Sequence, residues 1–124
     1  MLGVSNERLL MHRPASRDVA NEVAYEIVLA HDDDIAYLRV AMTRKVKAIK
    51  TRDGKEIACD GSITFDAKTE AGGLLEVGWL VSDAHGKVYE VITRSDDSIF
   101  GEADATCDLQ LTRKKVDLGL DEPS

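Results

Sequence analysis

The stretch Leu75–Ile92, LEVGWLVSDAHGKVYEVI, constrains the fold more than any other part of the chain. Leu75, Val77, Trp79 and Val81 alternate with Glu76, Gly78, Leu80 and Ser82. Asp83-Ala84-His85-Gly86 interrupts the run, and Val88–Ile92 resumes it. Successive side chains on a strand point to opposite faces. Alternation on both sides of a short glycine-bearing break therefore predicts a β-hairpin. Trp79 shares a face with Leu75, Val77 and Val81, which makes it a core residue. The alternative is a partly exposed anchor for a partner protein, a role in which tryptophan is enriched.

The same period recurs elsewhere. Over Ile35–Thr51, Leu38, Val40 and Met42 share one face and Arg39, Ala41 and Thr43 the other. Val46 and Ala48 keep that phase, and Ile49 departs from it, as at a bulge. Asp53-Gly54 predicts a two-residue type I′ turn, because both residues tolerate positive φ. Lys55–Asp66 returns as the partner strand with Ile63 and Phe65 on one face, kinked, bulged or split at Asp60-Gly61. A last strand is predicted over Thr106–Arg113, with Cys107, Leu109 and Leu111 on one side. Lys68–Gly73 and Ser95–Ala105 read as loops.

The amino-terminal third is less regular. Residues 1–14 read as an extended arm, in which Arg8–Met11 can pair as a strand and Pro14 ends it. Over Ser16–Ala30, Val19, Val23 and Ile27 recur every four residues, Ser16 suits an N-cap and Asp18 the first turn. That predicts an amphipathic helix, followed by a polar break at His31-Asp32-Asp33-Asp34. Val23, Tyr25, Ile27 and Leu29 also alternate, so a strand is the alternative.

A chain of 124 residues suits one domain. The fold class predicted is mainly β: a small antiparallel β-barrel or two-sheet sandwich with one short N-terminal helix. Residues 1–14 form the arm, 15–34 the helix and loop, 35–113 the barrel core and 114–124 an acidic mobile tail. Aromatics are few (Tyr25, Tyr37, Phe65, Trp79, Tyr89 and Phe100), so Val, Ile, Leu and Ala must build most of the core.

Charge and motifs narrow the function by exclusion. A net charge of −7 repels phosphate backbones unless the cations are segregated, so direct nucleic-acid binding is not expected. Arg44, Lys45, Lys47, Lys50 and Arg52 make one basic strip and Arg113-Lys114-Lys115 another. Both read as solvated strand edges, where lysine discourages aggregation; a groove for an anion is the alternative. His31–Asp34 lacks the alternating donors, glycine and distal Glu of a calcium loop. Asp96, Asp97, Glu102 and Asp104 fit no EF-hand spacing. His12 and His85 stand at no recognised nucleophile spacing. Gly72-Gly73 is followed by neither a phosphate-loop lysine nor a third glycine, and reads as a flexible loop. Cys59 and Cys107 show no metal spacing and read as buried thiols. No catalytic, cofactor-binding or metal residue is assigned, and an enzyme is not expected. The N-terminus MLGVSNERLLMHRP has no apolar run long enough for a signal peptide or membrane span, so a soluble protein made in the cytoplasm is expected.

From about Thr43 to Arg113 the chain resembles the small tail-completion, head-closure and minor capsid proteins of tailed bacteriophages. Three segments carry the resemblance: TRKVKAIKTRDGKEIACDGSITFDA, a long polar strand running into a D-G turn; LEVGWLVSDAHGKVYEVI, with its glycine-bearing turn and Tyr-Glu-Val; and the closing strand ATCDLQLTR. It covers a little over half the chain and departs at Trp79, where the pattern usually has Asp. The resemblance implies a small β-barrel or sandwich without enzymatic activity or cofactor. Such a subunit works in a ring at the head–tail junction, contacting neighbouring subunits and head or tail proteins through its arms and loops. The second function class is a small barrel that binds a peptide or anionic ligand through the Arg44–Arg52 strip.

Overall fold

The computed structural model describes residues 7–17, 23–96 and 104–112, with the backbone alone described at residues 16, 17 and 23. In chain order its elements are β1 (Glu7–Arg17), β2 (Val23–Ile27), β3 (Leu38–Thr43), β4 (Lys47–Lys50), β5 (Glu56–Cys59), β6 (Gly61–Asp66), α1 (Glu70–Leu74), β7 (Leu80–Ser82), β8 (Val88–Ser95) and β9 (Asp104–Leu111).

Six strands close into an antiparallel barrel in the order β1-β3-β6-β9-β8-β7, with β7 pairing back to β1. β7, β8 and β9 follow one another as hairpins, and β6 lies beside β9, a Greek-key arrangement. Closure removes the free edges that a flat sheet of this size would expose. Of the two architectures expected, the barrel is the one formed.

Alternation fills the barrel interior. Leu38, Val40 and Met42 of β3 are buried between exposed or half-exposed neighbours, and Ile63 and Phe65 of β6 repeat the pattern. Each such side chain contributes about 1.5–3 kcal/mol on full burial. Cys107 and Leu109 continue the same wall on β9, the strand paired with β6, and both cysteines are buried free thiols.

β1 is longer than the barrel is tall. Glu7–Leu9 pairs with β3, Leu10–His12 with β7, and His12–Arg17 with β2. Its second half and β2 therefore form a two-stranded ribbon that projects past one rim. β4 and β5 form a second ribbon. It leaves the barrel after β3, at the rim where β1 begins and β9 ends, so the two ribbons stand at opposite ends.

Several expectations are corrected. The helix predicted over Ser16–Ala30 is not formed in its described part, where Val23–Ile27 is strand β2; residues 18–22 lie outside the described residues. Aromatic and β-branched residues at 23, 25 and 27 favour a strand, and β1 supplies the edge that pairs with it. The arm predicted over residues 1–14 is barrel wall from Glu7 onward, so the barrel core begins there rather than at residue 35; residues 1–6 lie outside the description. Pro14 does not end β1. It lies at a register shift between Pro14 and Ser16, where a strand tolerates a missing N–H. Residues 114–124, read as a tail, also lie outside the described residues.

Leu75–Val81 is not one strand. Thr69 caps α1, its Oγ1 accepting the Gly72 N–H at 2.9 Å. A turn follows, in which Trp79 N–H donates to Glu76 O at 3.2 Å and Gly78 takes φ +93°. Positive φ at the third turn position is what a type II turn requires. The turn leaves Val77 57% exposed and brings Trp79 into the core at 9%. The core alternative for Trp79 is the one realised. Of the kink, bulge or split expected at Asp60-Gly61, the split is found, between β5 and β6. A Cβ on Gly61 would meet Thr43 O at 2.6 Å, so glycine lets β6 approach the end of β3.

Three hairpin loops share one geometry. In Ala30–Asp34, Thr51–Lys55 and Asp83–Lys87, the first N–H donates to the fifth carbonyl and the fourth N–H to the first carbonyl. The fourth residue takes positive φ: Asp33 at 65°, Gly54 at 83° and Gly86 at 80°. This is the three-residue loop built on a type I turn and a left-handed residue. It replaces the type I′ turn expected at Asp53-Gly54, because Asp53 keeps negative φ and only Gly54 is left-handed.

Candidate functional site

The charged groups that matter most meet at the rim where β1 starts, β3 ends and β7 turns into β8. Arg44, just past β3, donates from Nη1 to Glu7 Oε2 and from Nη2 to Glu7 Oε1, each at 2.6 Å. Nη2 also donates to Asp83 Oδ2 at 3.1 Å. The paired contacts to Glu7 use the planar fork of the guanidinium.

Asp83 has a second task. Its Oδ1 accepts the N–H groups of His85 and Lys87, each at 2.9 Å, and so ties the hairpin loop. The carboxylate is fully enclosed. Burial pushes its pKa up, but the N–H of Lys87, Arg44 and the N–H of His85 together outweigh that and hold it below the usual value. Hydrogen bonding from Arg44 lowers the pKa of Glu7, and Glu7 in turn raises that of Arg44.

An open cleft of about 970 Å³ lies over this rim, lined among others by Arg8, Tyr37, Arg44, Asp83, His85 and Lys87. Arg8 stacks its guanidinium 4.8 Å from the centre of the Tyr37 ring. A second cleft of about 620 Å³ adjoins it across the same Arg8–Tyr37 stack and reaches Ile35, Arg39, Asp66 and Glu70.

The barrel seam holds a pair that the sequence conceals. His12 Nε2 and Ser82 Oγ are 2.8 Å apart although 70 positions separate them. Both side chains are buried. They bridge β1 and β7 where the barrel closes, so His12 straps the seam rather than belonging to an extended arm. His85 is exposed in its loop, on the cleft wall.

The basic strip is divided. Arg44 is committed to Glu7 and Asp83. Lys47 Nζ pairs with Asp108 Oδ1 at 2.9 Å, and that contact raises the lysine pKa. Lys45, Lys50 and Arg52 remain exposed along the β4–β5 ribbon. The acidic candidates disperse likewise. Asp32, Asp33 and Asp34 are exposed in their hairpin loop. Asp96 accepts two hydrogen bonds from Arg94, whose Nη1 also donates to Leu75 O at 2.5 Å. Asp104 opens β9, while Asp97, Glu102 and the Arg113–Lys115 strip lie outside the described residues. Among the described residues no group of three His, Cys, Asp or Glu side chains is placed to hold a metal ion. Gly72 and Gly73 fall inside α1 rather than in a loop.

Glu7 and Asp83 carried no signal in the sequence as site residues, because Arg44, the partner they share, lies 37 and 39 positions away. The one local hint was the D-x-x-G spacing of Asp83–Gly86, which suits a side chain that accepts from its own loop. No family model, curated protein or solved structure matches this chain.

Proposed function

We propose that this chain is a non-enzymatic assembly subunit, of the kind that builds the head–tail connector or tail-completion ring of a phage or prophage. The observation that carries the reading is the placement of two β-ribbons at opposite ends of a closed barrel. A barrel without free edges is a rigid spacer. The β1–β2 and β4–β5 ribbons then supply the exposed strand edges, one set at each end. Such a subunit can touch one neighbour at each rim. β4 is only four residues long and carries Lys47 and Lys50, a composition that discourages indiscriminate edge pairing and leaves recognition to a complementary partner. The sequence resemblance over Thr43–Arg113 points to the same class.

The filled interior supports this reading over a ligand carrier, since core side chains from β3, β6, β8 and β9 occupy the barrel axis. The binding-module alternative loses ground because Arg44 and Lys47 are already paired within the chain.

Sedimentation velocity over a concentration series tests the proposal. The full chain is compared with a variant whose residues 50–56 are replaced by Asn-Gly, a two-residue turn that rejoins the paired Ile49 and Ile57. Association that grows with concentration and falls in the variant is expected. A wild-type chain that stays monomeric throughout, alone and with candidate head or tail proteins, refutes it.

A further inference from the structure

The larger cleft has an unbalanced charge. Its two carboxylates, Glu7 and Asp83, are both spent on Arg44, and Asp83 also on its own loop. The cations that remain, Arg8 and Lys87, have no carboxylate partner among the described residues. Arg8 also stands directly across from Arg39 on β3. Like charges opposed in that way repel, and an external anion relieves the repulsion. Beside the cations lie apolar surfaces: the Tyr37 ring, 44% exposed, and the half-buried Leu10. The adjoining cleft is lined by the carboxylates of Asp66 and Glu70, so the end that favours an anion is the Arg8–Lys87 end.

An occupant that fits is an extended peptide whose carboxylates alternate with aliphatic side chains. The chain itself contains that sequence: Asp117-Leu118-Gly119-Leu120-Asp121-Glu122. The last described residue, Thr112, donates its N–H to Val88 O at 2.8 Å, one residue from Lys87, so the described chain ends on the rim that bears the cleft. We infer that this cleft receives the acidic carboxy-terminal segment of a second copy, with its carboxylates on Arg8 and Lys87 and its leucines against Tyr37 and Leu10. The inference rests on the assembly reading for its source of a second copy.

The test is a labelled synthetic peptide, VDLGLDEPS, titrated into the full chain by fluorescence anisotropy at low salt, with sedimentation velocity in parallel. Binding is expected, reduced at least tenfold by the double substitution Arg8→Gln with Lys87→Gln and by a peptide bearing Asn, Asn and Gln at positions 117, 121 and 122. The double variant is also expected to associate more weakly. Lys87→Gln alone, at an exposed loop position, gives a several-fold loss and serves if the double variant melts early. Self-association without peptide binding, or peptide binding indifferent to Arg8 and Lys87, overturns this inference and leaves the assembly reading intact. Peptide binding by a chain that remains monomeric at every concentration overturns the second copy as the source, and the assembly reading with it.

Discussion

Gly72 and Gly73 are adjacent in α1, yet adding one methyl group should move stability in opposite directions. A Cβ on Gly72 would lie 2.1 Å from Asp66 O and 2.7 Å from Thr69 Oγ1. Ordinary contact begins near 3.4 Å, so the Asp66 carbonyl would have to retreat by about 1.3 Å (3.4 minus 2.1). That carbonyl cannot move alone, because it accepts the Thr69 hydroxyl at 2.8 Å, and the same hydroxyl caps α1. Overpacking of this kind costs about 1–3 kcal/mol. Disturbing the cap adds about 1 kcal/mol. The better helix propensity of alanine returns about 1 kcal/mol. Gly72→Ala is thus expected to destabilise by about 1–3 kcal/mol. Gly73 has only Ala67 O, at 3.5 Å, near its added Cβ. Gly73→Ala is expected to stabilise by about 0.5–1 kcal/mol through propensity alone. Urea unfolding followed by Trp79, the single tryptophan, reads both. With a slope of about 1–2 kcal/mol per molar, the two midpoints should separate by about 1 M or more. Equal shifts of the same sign would refute the packing of α1 against the end of β6.

Further outcomes follow from the loops, the rim and the core. Asp33 holds a left-handed backbone that glycine adopts freely, so Asp33→Gly should stabilise by up to about 1 kcal/mol in the same urea assay, whereas destabilisation would deny the shared loop geometry. Glu7 and Asp83 have folded pKa values below their ordinary ones. Their contribution is therefore present above the unfolded carboxylate range and lost as pH falls through the folded values. Asp83→Asn should cost about 1–3 kcal/mol at pH 7, and the gap to the wild type should close on acidification; a gap constant from pH 7 to pH 2 would contradict the pairing with Arg44. Burial pushes the Cys107 thiol up to about 12. The folded chain should therefore resist a thiol-specific reagent at pH 8 at this position and react on unfolding, with stability lost as pH rises from the unfolded thiol value towards 12. Rapid labelling of Cys107 in the native chain would place it outside the core.

Where the sequence was legible, one face of a strand was buried and the other was not. Leu38, Val40 and Met42, or Cys107 and Leu109, announce their strands because burial alternates with exposure at period 2. Leu75–Val81 misled for the opposite reason. Leu80 and Ser82 are buried on the outer face as well as Val81 on the inner, while Val77 is exposed by the turn at Gly78. Alternation there reflected chance spacing across a helix end, a turn and a three-residue strand. β2 was ambiguous because its residues satisfy periods of both two and four, and only the edge of β1 decides between them. The polar rim was illegible on principle. Arg44 read as one of five cations in a strip, and nothing local marks Glu7 and Asp83 as the carboxylates that fold onto it.

The most direct measurement for the proposed assembly through the ends of the barrel is hydrogen exchange, read by mass spectrometry on dilute and concentrated full-length chain. Protection should rise with concentration in peptides covering residues 13–17 and 23–27, residues 46–58, and the Asp83–Lys87 loop. Strands β6, β8 and β9 should exchange alike at both concentrations. Protection that rises on those wall strands instead, or nowhere, would contradict assembly through the two rims.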